Sequence, residues 1–163
     1  MALNPLSLDD LTLSAFAKRA HDNFAFFVKL FWPYVPPGHK LQWNWHLQAI
    51  CDTLECVEKG DLKRLVINMP PGFGKTALVV ILYPAWRMLR DPSYSVICGT
   101  HTQTFAEDAS RKTRIVVECP LYRAMVARLH ADIGKPMWEM AGDQNAKREF
   151  VTSAGGKRQS IGR

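Results

Sequence analysis

The chain has 163 residues, 47% of them hydrophobic and 22% charged, which suits a folded globular protein with a core of its own, since domains run to about 100–150 residues. No stretch approaches the roughly 20 continuous apolar residues of a membrane span, and Met1-Ala-Leu-Asn-Pro-Leu-Ser7 lacks the basic-then-apolar order of a secretory signal. The formal charge of +6 fits either a polyanionic partner, whose phosphates Lys and Arg would neutralise, or a merely basic solvated surface.

In chain order, Ser7 to Phe31 reads as helical. Ser7 is placed to cap, Asp9 and Asp10 suit a first turn, and Leu11, Phe16, Phe24, Phe27 and Leu30 recur at roughly helical spacing. Trp32 to Gly38 carries three prolines and a glycine and reads as a loop. A second helix is expected from about Trp43 to Glu58, with Leu47, Ile50, Leu54 and Val57 on one face and Gly60 ending it. Arg64-Leu-Val-Ile-Asn68 is a short apolar run that reads as a buried strand.

A loop, Met69 to Gly74, follows, and a helix opens at Lys75 or Thr76. Pro84 must kink or restart that helix, because it lacks an N–H and crowds the preceding turn. Tyr94 to Gly99 is the next strand, Gln103 to Glu118 the next helix, and Leu121 to Leu129 reads as helical. The chain turns irregular after Gly134. Glu149 to Ser153 is a short strand, and Ala154 to Arg163 a loop rich in glycine and arginine. Strands alternating with helices are the signature of an α/β fold with a parallel sheet. The cysteines Cys51, Cys56, Cys98 and Cys119 form no C-x-x-C pair; Cys51, Cys98 and Cys119 sit in apolar surroundings, so buried free thiols in a reducing compartment are expected, not a metal site.

The chemistry concentrates at Met69-Pro-Pro-Gly-Phe-Gly-Lys75-Thr76. The phosphate-loop pattern is G-x-x-x-x-G-K-[ST]. Gly74, Lys75 and Thr76 match its end, while Met69 stands where the first glycine would be and Gly72 with two prolines supplies another turn. A loop between strand and helix aims backbone N–H groups and the helix dipole at an anion. Pro71, Gly72, Phe73, Gly74, Lys75 and Thr76 are therefore the candidate nucleotide contacts. Lys75 would neutralise the β- and γ-phosphates of ATP, and Thr76 would offer its hydroxyl to Mg2+. The alternative is an ordinary strand-to-helix turn with a surface lysine.

A working ATPase also needs an apolar strand ending in a carboxylate that orders Mg2+ and water. Ile115-Val-Val-Glu118 is the one apolar run ending in an acid, but it continues a helical pattern, so Glu118 reads as a helix-end residue. Asp132 and Asp143 follow no strand. The catalytic carboxylate is thus expected beyond Arg163.

Several spaced segments together resemble the large terminase subunit of tailed bacteriophages: Trp45-His46, Gly60 through Thr76, Pro84-Ala-Trp86, Asp91-Pro92, Val96 through Arg114, and Ser153 through Arg163. The resemblance runs from about Asn23 to the end. It implies a P-loop NTPase fold of the ASCE, RecA-like kind, a parallel sheet flanked by helices, here incomplete. It divides the chain into an N-terminal helical segment and Pro-rich loop, residues 1–40, and the N-terminal part of the ATPase domain, residues 41–163, with the family's acidic nuclease domain absent.

The implied activity is that of the ATP-driven motor which packages DNA into the procapsid. The implied partners are double-stranded DNA, the portal or procapsid, the small terminase subunit and further copies of itself, with no membrane, in the cytoplasm of the bacterial host. The chain alone is expected to bind nucleotide weakly and hydrolyse it poorly. Another P-loop enzyme, such as a small-molecule kinase or a helicase-like ATPase, stays open. So does a non-catalytic DNA- or capsid-binding module with a vestigial loop.

Gln48 lies where related motors place an adenine-reading glutamine, with Gln42 as its rival and an exposed helix glutamine as the plain alternative. His46 reads as a helix-start residue beside Trp45. Thr100, His101 and Thr102 follow the second strand, where such motors carry a coupling segment, though Thr102 is equally a helix cap. Arg111 and Arg114 share a helix face, suited to DNA phosphate, to a neighbouring subunit's ATP, or simply to solvent. Arg158 and Arg163 fall in the expected C-terminal loop, where one is a candidate positioning arginine. Trp86 and Trp138 read as core.

Overall fold

The computed structural model describes residues 9–35, 40–141 and 149–162. Asp9 caps the first helix, α1 (Asp10–Asp22), accepting the Thr12 N–H at 2.6 Å; Ser7, the expected cap, lies outside the described residues. The single helix expected to Phe31 is broken at Asn23, whose extended backbone (φ −132°, ψ 112°) ends α1 and caps α2 (Phe24–Phe31) by accepting the Phe26 N–H at 2.6 Å.

A helix break frees backbone groups that must find partners elsewhere. Trp86 Nε1 donates to the Ala20 carbonyl at 2.9 Å, Arg90 Nη1 donates to the His21 carbonyl at 2.7 Å, and the Phe24 N–H donates to Glu55 Oε1 at 2.7 Å. The break also turns Phe24, Phe27, Val28 and Phe31 into the core. Leu11, expected on the apolar face, is 84% exposed.

After a 3-10 turn at Trp32–Tyr34 the remainder of the Pro-rich loop (Pro36, Pro37, Gly38) lies outside the described residues. The helix α3 (Trp45–Lys59) is capped by Asn44 and closed by Gly60 in the left-handed conformation (φ +84°), as a C-terminal glycine should be. Leu47, Ile50, Cys51 and Leu54 form its buried face, with Val57 half-buried. Arg64–Asn68 is not a strand: among the described residues it joins no sheet and makes none of the backbone–backbone hydrogen bonds outside regular elements. Leu65, Ile67 and Met69 pack against the core while Val66 stays 93% exposed. The period-2 burial of a strand is present, but no strand among the described residues pairs with it.

The helix opening at Lys75 passes through a π-turn (Ala77–Leu82) into α4 (Tyr83–Arg90). Pro84 neither ends nor restarts it. The turn widens instead, so that the Tyr83 N–H reaches back five residues to the Leu78 carbonyl. Pro84 has no N–H for the Val80 carbonyl, which accepts from Arg158 Nη2 at 3.0 Å.

The remaining elements are β1 (Val96–Thr100), α5 (Gln103–Glu118), α6 (Pro120–Asp132), β2 (Glu149–Val151) and β3 (Lys157–Gly162). Among the described residues the sheet has the order β1-β3-β2, with β1 parallel and β2 antiparallel to β3. It is therefore a mixed sheet, and the segment expected as a C-terminal loop supplies its central strand. Thr152 secures the turn before β3: its hydroxyl donates to the Pro92 carbonyl at 2.6 Å and accepts the Gly156 N–H at 2.9 Å. One buried cluster runs from Ala17 of α1 to Phe150 of β2, so the first two helices share the core of the rest. Among the described residues no helix is long and apolar enough to cross a membrane.

Candidate functional site

The loop before the π-turn is shaped by two glycines. Gly72 and Gly74 have φ of +84° and +81°, a region that other residues rarely enter. Gly74 also backs onto packed side chains: a Cβ there would stand 3.4 Å from Leu47 Cδ2 and from Trp32 Cη2. The helix starts at Lys75, and the Leu78 N–H donates to the Gly74 carbonyl at 3.0 Å. The amides of residues 75–77 thus precede the helical ladder, which leaves them at the positive end of the helix dipole. Lys75 folds back over the loop, its Nζ donating to the Met69 carbonyl at 3.1 Å and the Pro70 carbonyl at 3.3 Å. Met69, at the missing first glycine, therefore contributes through its backbone, which any residue supplies.

This arrangement offers an anion a half-buried ammonium, helix-start amides and the half-buried Thr76, whose hydroxyl makes no cap bond to the π-turn. Those groups fit the phosphates of a nucleotide. Among the described residues no group of three or more His, Cys, Asp or Glu is placed to hold a metal. Were a nucleotide to bring Mg2+ here, the Thr76 hydroxyl is the protein group that could join its shell. Glu118 is exposed as the last residue of α5 and Asp132 is exposed as the last of α6; Asp143 lies outside the described residues.

The flank of the loop is aromatic. Phe73, 48% exposed, meets the His46 ring edge-to-face at 5.6 Å, and His46 meets Trp45, 77% exposed, at 6.0 Å. Gln48 is engaged one turn along its own helix, where Nε2 donates to Asp52 Oδ1 at 2.7 Å. Gln42 is exposed in the segment before α3. Comparison with protein-family models, with curated proteins and with solved structures finds no match.

Thr102 caps α5, accepting the Phe105 N–H at 3.3 Å, while Thr100 Oγ1 donates to the Thr102 carbonyl at 2.8 Å and the His101 ring packs on Phe105 at 5.4 Å. Arg111 donates to Asp108 at 2.8 Å on an exposed face, and the Arg114 guanidinium stands 5.6 Å from the centre of the Phe150 ring. Trp86 and Trp138 are buried in the core.

Arg158 is the largest correction among the candidates. It lies fully buried in β3, not in a loop, and its Nη1 donates to Ser160 Oγ at 2.8 Å in addition to the Val80 bond. Burial pushes the nearby Cys98 thiol up, with the Arg158 charge opposing. Lys157-Arg-Gln-Ser160 is polar throughout, so no apolar alternation marks the strand, and a buried arginine reads as a surface residue in any local pattern. Arg163 lies outside the described residues.

Proposed function

We propose that this chain is the ATP-binding part of a bacteriophage large terminase subunit, the ATPase motor that drives DNA into the procapsid. The observation that carries the reading is the loop itself: two left-handed glycines, a lysine opening a helix, and its ammonium folded back over the carbonyls of Met69 and Pro70. Lys75 would screen the β- and γ-phosphates and Thr76 would complete the Mg2+ shell. Glu118 and Asp132 end α5 and α6 as exposed residues, so the reading places the water-activating carboxylate elsewhere and expects weak binding and slow turnover by this chain alone. The proposed partners are double-stranded DNA, the portal or procapsid, the small terminase subunit and other copies of the chain, within the host cytoplasm.

Calorimetric titration of ATP with Mg2+ into the chain and into Lys75→Ala tests this. Weak binding that the substitution abolishes is expected, together with little steady-state hydrolysis. Equal binding by both proteins would remove the phosphate-loop reading. Robust Lys75-dependent turnover would mean that a carboxylate within the chain completes the site. One observation favours a second reading, a DNA- or capsid-binding module with a vestigial loop: among the described residues the segment leading into the loop has no sheet partner to brace it. That reading expects salt-sensitive DNA binding indifferent to ATP and to Lys75→Ala.

A further inference from the structure

Trp45 and Phe73 leave much of their rings in solvent, and the half-buried His46 lies between them. Trp45 is 77% and Phe73 48% exposed, although the core a short distance away is rich in aromatic side chains. Their position relative to the loop is what gives them a use. Phe73 belongs to the loop and sits between the two left-handed glycines, immediately before Gly74 and Lys75. His46 and Trp45 extend the aromatic surface from Phe73 onto the first turn of α3, in edge-to-face steps of 5.6 and 6.0 Å.

The two parts are also mechanically joined. Leu47, in the same turn, is buried and packs behind Gly74. Phosphate cradle and aromatic surface are therefore held in a fixed relation. On the same helix Gln48 directs one amide N–H to Asp52 at 2.7 Å, which turns that donor along the helix.

We infer that Trp45, His46 and Phe73 form a stacking surface for the base of the nucleotide whose phosphates the loop takes. The inference rests on the phosphate-loop reading and adds to it a mode of base recognition. Stacking uses the π-face that every nucleobase carries, so it contributes affinity with little choice between bases. The chain should accordingly take ATP and GTP almost equally well, and both more tightly than inorganic tripolyphosphate.

The experiment is calorimetric titration of ATP, GTP and tripolyphosphate, each with Mg2+, into the wild-type chain, Trp45→Ala and Trp45→Phe, with melting curves to verify folding. Trp45 is exposed, so its removal should leave the fold intact. The expected result is a loss of about tenfold in affinity for ATP and GTP alike in Trp45→Ala, within the range of a single base-stacking contact. Tripolyphosphate binding should be unchanged, and Trp45→Phe should recover much of the loss. Wild-type affinity of Trp45→Ala for ATP would overturn the inference. So would an equal loss for ATP and tripolyphosphate, which would mean that Trp45 acts through the loop. A preference of tenfold or more for ATP over GTP would replace stacking by edge recognition. If tripolyphosphate binds in a Lys75-dependent way but ATP binds no more tightly, the stacking surface fails and the phosphate loop stands. If the wild-type chain binds none of the three, the phosphate loop fails, and the base surface with it.

Discussion

Arg158 illustrates how much a single residue depends on its surroundings. A buried guanidinium is costly unless its donors are met. Part of the answer comes from the π-turn, where Pro84 has no N–H to offer the Val80 carbonyl and Arg158 donates to that carbonyl at 3.0 Å. Ser160, two residues along the same strand, takes another donor at 2.8 Å. Asp91 shows the same dependence at the surface. Hydrogen bonds from the Ser93 hydroxyl at 2.6 Å and N–H at 2.9 Å hold its carboxyl below the usual carboxylate range. A carboxyl depressed in the folded state contributes stability above its unfolded pKa, near the ordinary 3.8, and loses it as pH falls through the folded value. Asp91→Asn should therefore flatten the fall in stability below about pH 4, measured by urea denaturation at stepped pH; an unchanged slope would show that the Ser93 bonds do not persist in solution.

At the scale of elements, Asn23 organises the N-terminal half. Its side chain caps α2, and the break it makes turns three backbone groups of the α1–α2 corner toward α3 and α4. The corner is reinforced by Glu58 of α3, which meets Arg87 at 2.7 Å and Arg90 at 3.2 Å, both from α4. Asn23→Ala removes the cap but leaves Trp86, Arg90 and Glu55 in place, so a loss of about 1 kcal/mol is expected by chemical denaturation. A much larger loss would mean that the bend itself, and not the cap bond, holds the corner. The helix boundaries were largely legible beforehand, because caps and terminal glycines act within a turn: Gly60 and Thr102 end and begin their helices as their residue types suggest. The bend at Asn23 was not, because its reward lies in Trp86 and Glu55, remote in the chain.

At the scale of the molecule, strand pairing departs furthest from local expectation. Among the described residues Arg64–Asn68 has the burial alternation of a strand but no partner, whereas Lys157–Gly162, with glycine and charge, sits at the centre of the sheet. The sheet also leaves Ile97 at 67% and Ile161 at 50% exposure on β1 and β3. Hydrogen exchange distinguishes the two kinds of segment. The amides of residues 64–68 should exchange far faster than those of residues 97–99 and 158–161, which lie in the ladder. Equal protection would require a ladder along Arg64–Asn68.

The amino-acid sequence by itself determined most of the helices, the ends set by Gly60 and Thr102, the mixed helix-and-strand composition, and a lysine-bearing glycine loop whose left-handed positions fall on glycine. These are local properties, decided by backbone sterics and side-chain periodicity over a few residues. Only the tertiary structure decided which extended segment pairs, that an arginine is buried, and that Phe73 joins Trp45 and His46 beside the loop. Those outcomes depend on residues distant in the chain, such as Val80 and Arg158, meeting in space, and no local pattern records whether such a partner will be there.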